Sequence, residues 1–120
     1  MADTPSYHAN GQGYLLTAAA MHWFMDHYLP NVADRHDWRA SPLKAESHAK
    51  LPPALVLTAG FDPLRDEGLM YADAMGAAGV ATEYICFERQ IHGFITMGRV
   101  LRESHAAVGV CADALKRYLK

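Results

Sequence analysis

Three stretches predict an α/β chain whose parallel sheet is incomplete. The first is ALVLTA at residues 54–59, apolar throughout and not alternating, as in a strand buried on both faces of a parallel sheet. The second is TEYICF at residues 82–87, rich in the β-branched and aromatic types that fit a pleated surface. Between them, Leu69, Ala72, Met75 and Gly76 put an apolar face on a helix over residues 67–77. Strand, helix and strand in this length make a right-handed βαβ unit with parallel strands. A strand apolar on both faces needs a neighbour on each edge, and only one further strand is legible. The open edge of residues 54–59 then offers unpaired N–H and C=O groups to a partner, and the sheet is expected to be one end of a larger one.

Residues 1–13 read as loop, punctuated by Pro5, Asn10, Gly11 and Gly13. Thr17 is an N-cap ahead of a helix running to Tyr28 or Leu29, stopped by Pro30-Asn31. Met21, Phe24, Met25, Tyr28 and Leu29 give that helix a wide face, expected to press on something sizeable. Residues 31–50 are polar and irregular, with a turn at Ser41-Pro42 and a single helical turn over 45–49. Connections of this length tend to be functional or mobile. Gly60 is read as the end of the first strand, Asp66 as the N-cap of the helix, and Gly79 as its C′ glycine. Residues 88–94 are read as a loop. A last helix is expected from about Glu103 to Leu119, with Ala106, Val110, Ala114 and Leu115 on one face and Val108 and Cys111 widening it.

At 120 residues, 51% hydrophobic and with net charge -2, the chain has the size and apolar content of one packed core. No Lys/Arg run marks a nucleic-acid surface, and no apolar run approaches bilayer length. Residues 1–10 lack the apolar segment of a signal peptide, so a cytoplasmic location is expected. Cys86 and Cys111 read as two small buried thiols and not as a disulfide.

Two residues carry the chemistry. Asp62 and His92 each follow a strand-like run, where open α/β sheets place their sites. Asp62 suits an acid that orients an imidazole, or a turn residue ahead of Pro63. His92, in QIHGF, suits a general base on a loop, or a loop histidine with no task. His8, His22, His27, His36, His48 and His105 form no metal-ligand spacing, so no metal and no cofactor are expected. Ser6, Ser41, Ser47 and Ser104 are the serines, and none sits in G-x-S-x-G, the turn that lifts a nucleophile above a sheet. No glycine-rich run supplies oxyanion-hole amides or a phosphate loop.

Taken together, LPPALVLTAGFDPLRDEG at 51–68, AAGV at 77–80 and IHGF at 91–94 resemble the C-terminal region of the hormone-sensitive-lipase-like α/β-hydrolases. These are bacterial acyl esterases and lipases. PSYHANGQGYLLT, MHWFMDHYL and RASPL are similar to that family's approach to and passage through its cap. The resemblance implies the C-terminal part of an α/β-hydrolase fold, two parallel strands with flanking helices and part of a helical cap. It divides the chain into a cap-region segment, 1–38, and the C-terminal part of the catalytic domain, 39–120. Asp62 is then the triad acid and His92 the triad base. The nucleophile elbow and the HGGG oxyanion motif belong upstream of everything present. A small acyl ester is the implied substrate of the complete enzyme. Ile91, Phe94 and the approach Tyr14, Leu15 and Leu16 are candidates to line an acyl pocket, against ordinary packing for any one of them. The partner expected at the open edge is the missing N-terminal portion or a second copy.

Overall fold

A computed structural model describes residues 3–119. Met1 and Ala2, where the stretch read as loop begins, and Lys120 lie outside the described residues. The order is α1 (Pro5–Asn10), α2 (Ala18–Tyr28), β1 (Ala54–Phe61), α3 (Arg65–Ala77), β2 (Thr82–Ile91) and α4 (Arg102–Tyr118), with single 3-10 turns at Val32–His36, Pro42–Lys44 and Phe94–Thr96.

β1 and β2 pair in parallel as a two-stranded sheet, in register from Ala54 opposite Thr82 to Ala59 opposite Phe87. Helices cover both faces. On one face α3 lies so close that a Cβ on Gly68 would meet Thr58 Cγ2 at 2.6 Å. On the other, Ala59, Phe94 and the α4 residue Ala107 form the buried core, with Leu57, Phe87 and Leu101 against it. Alternate residues of a strand point to opposite faces, so Thr58 serves α3 while Leu57 and Ala59 serve α4. That double cover is why residues 54–59 are apolar without alternation. With one edge unpaired, most of β1 stays half-buried.

Local signals behave as read where the chain settles them locally. The Thr17 hydroxyl caps α2 by accepting from the Ala20 N–H at 3.1 Å. Gly79 ends α3 at φ 83° while the Val80 N–H reaches back to the Met75 carbonyl at 3.0 Å, a left-handed cap.

Other readings are corrected. Residues 5–10 form α1, with Thr4 at its N-cap and Pro5 in its first turn; six residues are too few for a periodic pattern to declare itself. β1 continues through Gly60 to Phe61, and β2 runs on to Ile91 through residues read as loop. Residues 45–49 contain no helical turn; the 3-10 turn lies earlier, at Pro42–Lys44. No residue of α2 is buried, and Trp23, Phe24 and Tyr28 are exposed, so nothing sizeable in the described residues covers its apolar face. In α4 the buried positions are Ser104, Ala107 and Ala114, whereas Ala106, Val108 and Leu115 are exposed. The inner face of α4 is therefore drawn from small residues that let it approach the sheet. Both cysteines are free and half-buried.

Candidate active site

The site is built at the C-terminal ends of the two strands by a change of register. Partner numbers differ by 28 from Ala54–Thr82 through Ala59–Phe87, then by 30 at Phe61–Ile91. β2 carries two extra residues across this bulge. Without them Gln90 would stand opposite Asp62; with them His92 does. Bulges re-aim side chains in this way beside functional sites.

Gly60 makes the bulge possible. A Cβ there would lie 1.9 Å from the Glu88 carbonyl oxygen, inside the backbone of β2. The residue is glycine for lack of space, and reading it as a strand stop missed that.

His92 Nδ1 lies 2.8 Å from Asp62 Oδ2. A carboxylate can only accept, so the ring proton sits on Nδ1 and the lone pair on Nε2. The second carboxylate oxygen, Asp62 Oδ1, accepts from the Leu64 N–H at 2.8 Å. The Asp62 side chain is 11% exposed and that of His92 40%, so the acid is enclosed and the imidazole presents itself. Gly93 follows at φ 75° and opens the Phe94–Thr96 turn, a left-handed position that favours glycine. The Ser104 hydroxyl of α4 holds this turn by donating to the Ile95 carbonyl at 2.6 Å.

Asp66 does not cap α3. It lies inside the first turn, where its Oδ2 accepts from the Ser6 N–H at 2.7 Å and its Oδ1 from Arg65 Nε at 2.9 Å. Burial pushes its carboxyl up, but the Ser6 amide and the adjacent Arg65 guanidinium together outweigh burial and hold it below the ordinary value.

A cavity of about 720 Å³ opens beside the pair. Leu57 and Thr58 of β1, Leu64, Gly68 and Tyr71, and the segment 40–44 line it together with Asp62 and His92. No residue of β2 contributes, so it lies on the unpaired side of β1. The structure brings Asp62 and His92 together and leaves the other candidates elsewhere. Phe94 is 5% exposed, in the core, with its ring 4.9 Å from that of Phe87. Leu16 is buried and Ile91 half-buried at the end of β2, and neither lines the cavity. Tyr14 stacks on Phe61 at 5.0 Å, and a Cβ on Gly93 would sit 3.8 Å from Leu15 Cδ2, so this approach segment flanks the acid and base from another side. Among the described residues no group of three or more His, Cys, Asp or Glu side chains is arranged to hold a metal ion, and no helix is long and apolar enough to cross a membrane.

A family model described as the alpha/beta hydrolase fold matches residues 1–96. The chain belongs to the α/β-hydrolase family. It is 42% identical over 119 residues to carboxylic ester hydrolase LipN of Mycobacterium tuberculosis, covering 98% of this chain and 32% of that protein. It is 37% identical to ethyl acetate hydrolase of Pseudomonas putida, covering 96% of this chain and 36% of that one. Among solved structures, a thermostable carboxylesterase from a metagenomic library superposes with a TM-score of 0.94 at 35% identity, over 98% of this chain and 40% of its own. An ester hydrolase from the Lake Arreo metagenome superposes at 0.92 with 42% identity, over 98% of this chain and 37% of its own. The family is thus that of carboxylic ester hydrolases, as FDPLRDEG and IHGF implied. The chain spans about a third of the length of these relatives and corresponds to the C-terminal part of their fold.

Proposed function

We propose that this chain supplies the acid and base of an ester-hydrolysing serine triad, with the nucleophile and oxyanion hole on polypeptide outside these 120 residues. The observation that carries this is the 2.8 Å bond from His92 Nδ1–H to the enclosed Asp62 carboxylate, which leaves Nε2 as the basic nitrogen. In such a triad Nε2 takes the serine proton as the hydroxyl attacks the ester carbonyl. It then returns that proton to the leaving alcohol, while Asp62 holds the tautomer and stabilises the imidazolium. Water repeats the sequence on the acyl-enzyme. On this reading residues 1–38 belong to a cap and 39–120 to the catalytic domain, and the substrate is a small acyl ester. Ile91, which precedes His92 in the chain, and Leu15, whose Cδ2 lies near Gly93, are nearer candidates to touch its acyl group than Phe94 and Leu16, which are buried.

Alone, the 120 residues hold no nucleophile elbow and are expected to leave a short-chain ester unhydrolysed. The direct test is a chimera in which they replace the matching portion of the LipN ester hydrolase. Turnover is expected, with a fall of about 10⁴-fold in kcat on His92→Ala or Asp62→Ala, the scale of triad disruption. A chimera that folds and turns over equally well without His92 refutes the assignment.

The unpaired edge of β1 favours a second reading, a non-catalytic module that assembles through that edge with another copy or chain. Sedimentation of the isolated chain tests the homodimer form of this reading: a monomer at high concentration removes it.

A further inference from the structure

The loop that carries Asp62 is held from beneath by a helix at the other end of the chain. Asn10, at the C-terminus of α1, is 6% exposed. Its Nδ2 donates to the Gly60 carbonyl at 3.2 Å and to the Asp62 carbonyl at 3.3 Å. One amide group thus ties down the carbonyls of the two residues that flank Phe61. Ser6, one turn earlier, is fully buried. Its hydroxyl donates to the Pro63 carbonyl at 2.8 Å and accepts from the Asp66 N–H at 3.1 Å. That second bond reaches an N–H of the first turn of α3, the bond an N-cap side chain normally makes. Leu64, the residue at the cap, makes none. Ser6 therefore caps α3 from 60 residues away.

Four backbone groups are constrained in this way. The carbonyls of residues 60, 62 and 63 and the amide of residue 66 all end on α1 side chains. Arg65 Nη1, at the start of α3, adds a donor to the Gly60 carbonyl at 3.3 Å. None of these bonds touches the Asp62 carboxylate, yet together they set the direction in which it leaves the backbone.

We infer that Asn10 and Ser6 are positioning residues for the acid: they aim Asp62 at His92 and, through it, fix the imidazole tautomer. This rests on the acid–base reading of Asp62 and His92. A merely structural role would show as lost stability. A positioning role must also show at the imidazole, which neither Asn10 nor Ser6 is seen to contact and which is reached from Asn10 only through Asp62.

The test is ¹⁵N NMR of the histidine rings in the 120-residue protein, with His92 assigned by its absence in His92→Ala. The wild type is expected to hold the proton on Nδ1, and Asp62→Ala to lose that preference. Asn10→Leu, similar in shape but without donors, is expected to lose it too while the amide spectrum of β1 and β2 stays folded. Ser6→Ala removes a single hydroxyl, is the milder change, and decides the question if Asn10→Leu does not fold. Folded variants that melt lower but keep the proton on Nδ1 overturn the inference and leave the acid–base reading intact. A wild-type ring with no dependence on Asp62 overturns both.

Discussion

Gly60→Ala is the most demanding single change the structure offers. The added Cβ meets the Glu88 carbonyl oxygen at 1.9 Å, its carbon at 2.5 Å and Cα at 2.7 Å. All three are backbone atoms of β2, so no side chain can rotate away. Ordinary contact begins near 3.4 Å, so the strands must part by about 1.5 Å at the bulge. Overpacking of this kind typically costs about 1–3 kcal/mol and more when backbone must move, so about 3 kcal/mol is expected. The same displacement carries the 2.8 Å Asp62–His92 bond past the usual limit of about 3.2 Å. Stability and site should fail together. Urea unfolding followed by circular dichroism measures the first, and the His92 ring nitrogens report the second. Gly76→Ala is the control. It lies in α3 with nothing within 4 Å of its added Cβ and should gain about 0.5–1 kcal/mol. A Gly60→Ala protein within about 0.5 kcal/mol of wild type, with the proton still on His92 Nδ1, refutes the steric account of the bulge.

Three further outcomes follow from single groups. The Asp66 carboxyl is held below its ordinary value in the folded chain, so its contribution is complete above about pH 4, the unfolded value, and fades as pH falls through the lower folded one; the advantage of wild type over Asp66→Asn in urea midpoint should shrink below pH 4, and a pH-independent difference would count against it. The Tyr7 hydroxyl is buried without a hydrogen-bond partner among the described residues, so Tyr7→Phe should raise stability by about 1 kcal/mol, and a lower melting temperature would show that the hydroxyl is satisfied in solution. Phe94→Ala empties the core beneath the His92 turn and should cost about 3–5 kcal/mol; a loss under 1 kcal/mol in urea unfolding would instead place Phe94 outside the core.

The α/β class, the two strands, the Thr17 cap and the Gly79 stop were determined by the sequence, because each is a short-range matter of propensity, capping or the period of apolar residues. Asp62 and His92 were legible for a related reason: each follows its strand directly, and FDPLRDEG and IHGF are compact motifs. Helix α1 was not legible, since six residues carry too little pattern. The inner face of α4 was misread because burial there follows the distance of approach to Ala59 and Phe94, which favours Ala107 and Ser104 over larger neighbours. Only the tertiary structure decided that His92, and not Gln90, faces the acid. That depends on two extra residues in β2 and on a glycine across from them in β1. Only it decided that Ser6 caps a helix 60 residues away. Such bonds form between segments whose proximity is a consequence of folding, so no local window of the chain contains both partners.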